Sequence, residues 1–178
     1  MLDAALKEGV SLSVDDRGVA YLTFAHPRSN SLPGAVLADL AASVRELGQR
    51  SDVKVVVLGS AGDRAFCAGA SFDELVAISD EEAGLAFFMG FAHVINALRS
   101  IPQLVIGRVQ GKAVGGGVGV AAATDYCLAT QHAAIKLSEL AVGIGPFVVG
   151  PAVERKLGVS AMSQLSIDAS SWRSAQWA

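Results

Sequence analysis

Apolar and polar residues follow three distinct patterns along the first third of the chain. They alternate over residues 10–14 and 19–25 on either side of the turn-like run DDRG, which predicts a β-hairpin. From Pro33 to about Leu47 the apolar residues recur on one helical stripe, so this segment is predicted to be an amphipathic helix. Residues 53–58, VKVVVL, form a β-branched run that is typical of a strand buried on both faces of a parallel sheet.

The remaining pattern predicts further alternation of helices and strands. A helix is predicted to begin at the acidic run Ser79-Asp80-Glu81-Glu82 and to reach Arg99, before the break at Pro102. The other predicted elements are a loop at 59–70, strands at 104–109, 126–129 and 134–137, a glycine-rich turn at 111–119, a small-residue helix at 118–123 and short helices after 150. The last residues, SWRSAQWA, resemble the start of a helix. This order predicts an α/β layered domain.

Composition narrows the class of protein. The 178 residues suit one domain, and a content of 52% hydrophobic and 17% charged residues excludes disorder. No apolar run approaches the roughly 20 residues of a membrane helix. The N-terminus lacks the basic start and cleavage site of a secretory signal, so a cytoplasmic location is predicted.

Charge and the metal-binding residue types exclude further functions. A net charge of −3 without clustered Lys and Arg makes binding of nucleic acid unexpected. Cys67 and Cys127 have no CxxC spacing and are predicted to be free thiols. Three scattered histidines do not suggest a ligand set, so no metal site is predicted.

Three segments that follow predicted strands carry candidate chemistry. Small residues around Gly69 in RAFCAGASF allow the backbone to approach a ligand and to direct an N–H group at it. Residues 111–119 place three consecutive glycines before a helix, where free N–H groups and the helix dipole meet. Glu139 stands among apolar residues, which should raise its pKa. Together these features predict two donors for an oxyanion and one carboxylate, although small residues also serve tight turns and close packing.

Four stretches in the expected order resemble the crotonase (enoyl-CoA hydratase/isomerase) superfamily: HPRSNSL, RAFCAGASF, GKAVGGGVGVAAATDYCLAT and AIKLSELAVGIGPFVVG. The resemblance implies a crotonase-like spiral of ββα repeats over residues 1–178, with the family's C-terminal helical region missing. It also implies acyl-CoA thioester substrates, with coenzyme A as part of the substrate and no separate cofactor. The family usually forms homotrimers or hexamers.

The same resemblance assigns roles to individual residues. The backbone N–H groups of Ala70 and Gly116 are similar to the family's oxyanion hole, and Glu139 corresponds to the catalytic acid/base. Further residues would contact the substrate: Ala68, Ser71, Phe72 and Gly115 around the CoA arm, and Arg28 and Ser29 near its nucleotide end. Arg28 is equally well explained as a solvated charge in a loop.

One departure from the family pattern affects the predicted reaction. Hydratases of the family carry a second glutamate where this chain has Gly119. A double-bond isomerase needs only one base, so isomerisation is favoured slightly over hydration. An ordinary enoyl-CoA hydratase of fatty-acid or branched-acyl-CoA degradation is the alternative. Asp73, Glu74 and Glu154 could substitute for the second acid but are better explained as exposed charges, and Asp125 as the anchor of a strand.

Two other classes of function remain open from the sequence. Gly117-x-Gly119-x-x-Ala122, with Glu139 about 20 residues later, also fits a dinucleotide-binding fingerprint. The long turn before Gly117 and the short helix after it count against that interpretation. A CoA-binding subunit without turnover is the other alternative, because the second acid is missing.

Overall fold

The computed structural model describes residues 1–174, which form two β-sheets and a set of surrounding helices. The strands are β1 Gly9–Val14, β2 Val19–Ala25, β3 Val55–Ser60, β4 Ala65–Cys67, β5 Leu104–Val109, β6 Lys112–Val114, β7 Tyr126–Ala129, β8 Ala134–Lys136 and β9 Arg173–Ser174. The α-helices are α1 Gly34–Gly48, α2 Phe72–Val76, α3 Glu81–Ser100, α4 Gly116–Ala123, α5 Gly150–Leu157 and α6 Val159–Ile167. A 3-10 turn, Leu140–Val142, follows β8.

The chain winds as a spiral between the two sheets. The larger sheet has the order β1-β2-β3-β5-β7, in which only the β1–β2 hairpin is antiparallel. The smaller sheet has the order β4-β6-β8-β9, with β4, β6 and β8 parallel. Each turn therefore adds one strand to the larger sheet, one to the smaller sheet and then helix. The predicted α/β fold of ββα repeats is confirmed.

The two longest helices form where the sequence pattern predicts them. The buried stripe of α1 contains Val36, Leu37, Leu40, Val44 and Leu47, and Pro33 is its N-cap. The α3 helix begins after Asp80, whose carboxylate accepts a hydrogen bond of 2.8 Å from the Ala83 N–H and so caps the first turn. Pro102 lies just beyond the end of α3. The apolar faces of α1 and α3 pack against each other, and α1 also packs against β1 and β2 of the larger sheet.

The short elements differ most from the sequence-based expectation. The predicted loop at 59–70 contains β4, and the predicted turn at 111–119 contains β6 and the start of α4. β4 and β6 have three residues each and lie in glycine-rich or polar surroundings that resemble loops, so neither strand was predicted. The predicted C-terminal helix start is wrong at Arg173–Ser174, which pair antiparallel with β8. Residues 175–178 lie outside the described residues. No helix within residues 1–174 combines the length and the apolar character needed to span a bilayer.

Candidate active site

The candidate site lies where three strands of the smaller sheet end side by side. Ala70 follows β4, Gly116 follows β6 and Glu139 follows β8. Because these strands are parallel, their carboxyl ends meet at one edge of the sheet, which is a common position for ligand sites in α/β proteins. All three residues line one cavity of about 250 Å³. The spiral thus joins residues that are up to 69 positions apart in the sequence.

Two glycines with positive φ let the three loops approach each other. Gly69 has φ +89°, and a Cβ built there would lie 3.1 Å from the Val114 carbonyl oxygen. Gly115 has φ +51°, and a Cβ there would lie 3.1 Å from Glu139 Oε1. Side chains are disfavoured at both positions by the backbone conformation and by the space available. The loops that carry Ala70, Gly116 and Glu139 therefore approach each other closely.

Ala70 and Gly116 line the cavity, and within residues 1–174 their N–H groups have no backbone partner. Gly116 is the first residue of α4, where N–H groups have no intrahelical partner and the helix dipole favours negative charge. Both groups are therefore available to an oxygen atom of a ligand.

Phe91 on α3 packs directly against the Gly116 backbone. A Cβ built at Gly116 would lie 2.5 Å from two ring atoms of Phe91, which is only 5% exposed. Any side chain at position 116 would displace the ring or the helix start. The same ring lines the cavity, so Phe91 both holds α4 in place and forms a wall of the site.

Asn30 ties together the loops that carry the first N–H group. It is buried with φ +57°, and its Nδ2 donates to the carbonyl oxygens of Ala61 at 3.0 Å and Ala65 at 2.9 Å. Its Oδ1 accepts from the His26 N–H at 2.9 Å, and its carbonyl accepts from the Ala68 N–H at 3.3 Å. A left-handed residue with this many partners over-determines the loop geometry. The Asn30 side chain thus positions the segment that ends in Ala70.

Glu139 is the acidic group of the cavity, and its environment disfavours its charge. Burial raises the pKa of the Glu139 carboxyl, an effect that the backbone N–H groups of Glu139 and Ser138 partly offset. Its Oε2 is buried without a hydrogen-bond partner among the described residues. An unpartnered buried carboxyl oxygen is costly in a protein interior. This atom is therefore available to exchange a proton with a molecule in the cavity.

The rest of the cavity wall is apolar. Only Ser31, Ser138 and Glu139 contribute polar side chains to the described lining, and Ser31 Oγ donates a hydrogen bond of 2.8 Å to the Ala70 carbonyl. The larger apolar side chains are Phe72, Leu75, Phe87, Phe88, Phe91, Val114, Val142, Ile144, Pro146, Val148 and Val149. Ser31 was not predicted, and neither were the phenylalanines of α3, because a helical pattern shows only that these positions are apolar. The wall suits an uncharged hydrocarbon group.

Comparison with known proteins identifies the family. The family model described as enoyl-CoA hydratase/isomerase matches residues 15–176. The chain belongs to this family. A crystal structure of an enoyl-CoA hydratase from Mycobacterium smegmatis has a TM-score of 0.88 with 32% identity, covering 94% of this chain and 65% of that chain. The enoyl-CoA hydratase of Bacillus anthracis has a TM-score of 0.87 with 27% identity, covering 95% of this chain and 66% of that chain.

The curated relatives include proteins with two kinds of name. Bacillus subtilis YngF, named as an enoyl-CoA hydratase/isomerase, is 30% identical over 142 residues, which are 78% of this chain and 54% of YngF. Ethylmalonyl-CoA decarboxylase of Gallus gallus is 30% identical over 158 residues, which are 88% of this chain and 53% of that protein. The chain spans about half the length of the curated relatives it matches. Family membership alone therefore leaves the reaction open.

The substrate-contact residues predicted from the family divide into two groups. Ala68, Phe72 and Gly115 line the cavity. Ser71 is instead the N-cap of α2, where its hydroxyl accepts from the Glu74 N–H at 3.4 Å, and it is not part of the cavity lining. Phe72 is well exposed and stands at the cavity rim.

The two residues predicted near the nucleotide end of CoA lie outside the cavity. Arg28 forms an ion pair with Asp73 on α2, and both side chains are largely exposed. Ser29, with φ +56°, lines a shallow surface cavity that also contains Lys7 and Arg64. The structure thus places basic side chains on the same surface as Ser29, while Arg28 is already paired.

Position 119, where the family's hydratases carry their second glutamate, is closed. A Cβ built at Gly119 would lie 2.6 Å from Val149 Cγ1 and 2.9 Å from Ile95 Cδ1. The dinucleotide interpretation is wrong for the same region, because Gly117 and Gly119 are buried within α4 and a Cβ at Gly117 would lie 2.6 Å from the Cys67 carbonyl oxygen. No phosphate can approach these glycines.

The other acidic residues are accounted for by structural contacts. Asp125 Oδ2 accepts a hydrogen bond of 2.8 Å from the Val105 N–H at the start of β5, as predicted. Glu74 Oε2 accepts from the Gly34 N–H at 2.9 Å at the start of α1. Glu154 is exposed on α5. Within residues 1–174, no group of three or more His, Cys, Asp or Glu side chains is arranged to hold a metal ion.

Proposed function

We propose that this site forms and reprotonates the enolate of an acyl-CoA thioester. The N–H groups of Ala70 and Gly116 donate hydrogen bonds to the thioester carbonyl oxygen, and Glu139 removes or returns a proton at the neighbouring carbon. The observation that carries the proposal is the buried, unpartnered Oε2 of Glu139 beside two N–H groups without a backbone acceptor in one apolar cavity.

The energetics of the arrangement favour this chemistry. A preorganised donor in an oxyanion hole is typically worth about 3 kcal/mol of transition-state stabilisation. The pKa of Glu139 is raised by burial, which brings the carboxyl nearer to the pH at which it can both accept and return a proton. The apolar wall excludes water and strengthens both effects.

We propose isomerisation of a 3-enoyl-CoA in preference to hydration of the matching 2-enoyl-CoA. Isomerisation moves one proton between two carbons, for which one base is sufficient. Hydration gains from a second carboxylate that orients the water, and Gly119 supplies none. An ordinary hydratase of fatty-acid or branched-acyl-CoA degradation is the alternative that the same assay decides.

The CoA moiety would extend from the cavity past Ala68, Phe72 and Gly115 toward the loop of Arg28 and Ser29. In that arrangement Arg28 would exchange its ion pair with Asp73 for a phosphate oxygen of CoA. An exposed ion pair contributes little stability, so this exchange costs little. Phosphate and guanidinium then form the stronger bidentate contact.

The decisive experiment compares three rates on one acyl chain with the full protein. Isomerisation is followed by the ultraviolet absorbance of the conjugated 2-enoyl thioester, and hydration is followed by mass spectrometry as the gain of one water. Exchange of the α-proton is followed in deuterated water with a saturated acyl-CoA. We expect exchange and isomerisation, with hydration slower than isomerisation. Efficient hydration would return the assignment to an ordinary hydratase, and acyl-CoA binding without exchange would indicate a non-catalytic CoA-binding subunit.

Decarboxylation of a 2-carboxyacyl-CoA is a second candidate. Two observations favour it: the relative from Gallus gallus is named an ethylmalonyl-CoA decarboxylase, and the described cavity lining contains no basic side chain. An apolar wall without a counter-charge destabilises a carboxylate, and loss of CO₂ leaves the same enolate for Glu139 to protonate. Release of CO₂ from ethylmalonyl-CoA would support this reaction.

We further propose that the full protein forms homotrimers or hexamers and acts in the cytoplasm in fatty-acid metabolism. These properties are common among the proteins that the sequence resembles. Sedimentation analysis of the full protein measures the assembly directly. A monomer at micromolar concentration would contradict it.

A further inference from the structure

Two pairs of residues bring α3 and α4 into close contact beside the cavity. Gly116 and Gly119 are three residues apart on α4 and so share one face, while Phe91 and Ile95 share a face of α3. A Cβ at Gly116 would meet the Phe91 ring at 2.5 Å, and a Cβ at Gly119 would meet Ile95 Cδ1 at 2.9 Å. The two glycines are therefore what allows the helices to pack at this distance.

Val149 adds a third contact at the second of these pairs. A Cβ at Gly119 would lie 2.6 Å from Val149 Cγ1 and 2.9 Å from Val149 Cβ. Val149 is only 3% exposed and is also one of the residues that line the cavity. The valine is therefore close to both position 119 and the cavity.

We infer that Val149 closes the position from which a second carboxylate would reach the substrate, and so restricts the site to proton transfer without addition of water. The inference rests on the proposed function, in which Glu139 is the base. Hydration forms a bond from the water oxygen to C3 while C2 gains a proton. Among the described residues that line the cavity, Glu139 has the only acidic side chain, so a water molecule there finds no second acid.

This arrangement means that restoring the acid alone cannot restore hydration. In Gly119→Glu the new Cβ overlaps Val149, which must move before the carboxyl can point into the cavity. Val149→Ala would leave the Cβ at 2.9 Å, so the opening requires Val149→Gly. Val149 is the N-cap residue of α5 with φ −87° and ψ −25°, and glycine is well tolerated at an N-cap.

The activity test compares five forms of the full protein. These are the wild type, Gly119→Glu, Val149→Gly, the double variant Gly119→Glu/Val149→Gly, and the control Gly119→Glu/Val148→Gly. Val148 lines the same cavity, but the three atoms nearest to a Cβ at Gly119 belong to Val149 and Ile95. We expect the Gly119→Glu/Val149→Gly variant to hydrate a 2-enoyl-CoA faster than the other four forms by about tenfold or more.

A second arm tests the contact without any activity. Gly119→Ala is made with Val149 and with Val149→Gly, and the melting temperature is measured for each. In the presence of Val149 the added methyl group overpacks the site, and we expect a loss of about 3–10 °C. The higher helix propensity of alanine cancels in the comparison, so the loss should fall below half that value in Val149→Gly.

Two results would overturn the inference. One is hydration by Gly119→Glu alone at the rate of the Gly119→Glu/Val149→Gly variant. The other is an equal loss of melting temperature for Gly119→Ala in both backgrounds. A wild type that catalyses neither α-proton exchange nor isomerisation would instead contradict the proposed function, and the melting-temperature arm would still decide whether Val149 closes position 119.

Discussion

Two of the cavities in the described part of the chain are similar in size and differ in chemistry. The first, of about 250 Å³, holds the candidate site, and the second, of about 320 Å³, lies between α4, β7, β8 and α5. Both walls are mainly apolar. In the second cavity the charged groups are satisfied within the fold: Asp125 Oδ2 accepts from Val105, and Lys156 Nζ donates to the Thr124 and Asp125 carbonyls at 2.8 Å.

The two cavities differ in how fully their polar groups are paired. Volume and hydrophobicity are shared, whereas unpartnered polar groups occur in the first cavity at Glu139 Oε2 and at the N–H groups of Ala70 and Gly116. Maintaining such groups costs stability, so their convergence at one point favours a role in chemistry. The second cavity carries no comparable cost, and we expect its residues to affect stability rather than turnover.

The largest difference between the two cavities is expected when the acid of the first cavity is neutralised. Glu139→Gln keeps the shape of the side chain but cannot act as a base, so we expect kcat to fall by about 10²–10⁴-fold. The dissociation constant for acyl-CoA should stay within about threefold, as measured by calorimetry. Cys127→Ala in the second cavity is the matched control and should leave kcat unchanged. An unaltered kcat in Glu139→Gln would remove Glu139 from the mechanism.

Substitution of Gly116, whose N–H is a proposed oxyanion donor, should have the next largest effect. In Gly116→Ala the methyl group would collide with the Phe91 ring and shift the first turn of α4, so the N–H would lose its alignment. We expect a loss of about 10²–10³-fold in kcat/KM. Gly84→Ala on α3 is the control, because a Cβ there has its nearest neighbour at 3.6 Å. Equal activities of the two variants would contradict the role of Gly116.

The longer fold elements could be predicted from the sequence, as could the short strands β7 and β8, whereas β4 and β6 could not. The β1–β2 hairpin, α1, α3 and β5 extend over enough residues for their hydrophobic period to be recognised. The three-residue strands β4 and β6 depend on pairing with distant segments, which no local pattern reports. Their positions nevertheless decide where Ala70 and Gly116 lie.

The raised pKa of Glu139 predicts a pH dependence of kcat/KM that arises from the first cavity. Burial favours the protonated carboxyl, so the basic form should appear only above the ordinary value of 4.5. We expect kcat/KM to rise with pH across this higher pKa, by about tenfold per pH unit on the acid limb. Because the folded state holds the proton more tightly than the unfolded chain, stability should fall as pH rises through the same range. Glu139→Gln should abolish this fall of stability with rising pH, whereas Glu154→Gln should retain it.

The second cavity should respond to substitution through stability alone. Asp125→Ala removes the acceptor of the Val105 N–H at the start of β5, and we expect the free energy of unfolding to fall by about 1 kcal/mol. The kcat of the folded protein should stay within about twofold of the wild type. Denaturant titration and steady-state assays under one set of conditions measure the two quantities. A large loss of kcat with unchanged stability would show that the second cavity takes part in turnover.

The backbone donors and the acid of the candidate site could be predicted from the sequence, whereas the packing of the cavity walls could not. Small residues around Gly69 and Gly115 and an acid in an apolar segment mark Ala70, Gly116 and Glu139 in the sequence. The closure of position 119 depends on Val149 and Ile95, which are 30 and 24 residues away and look like ordinary core residues. Contacts of this kind arise from packing between helices, for which the sequence carries no local signal.

Substitution of Cys67 should have the smallest effect, and it tests whether every residue near the first cavity influences turnover. Its side chain is fully buried behind Gly69 and Gly117, and burial raises the pKa of the Cys67 thiol to about 12. At about pH 8 the thiolate is therefore scarce, and we expect no labelling by thiol reagents until the protein unfolds. Cys67→Ala should cost about 1 kcal/mol of stability, because it removes a buried sulfur atom, and should leave kcat within about twofold. Rapid labelling of Cys67 in the folded protein, or loss of turnover in Cys67→Ala, would show that this cysteine contributes to the site rather than to its packing.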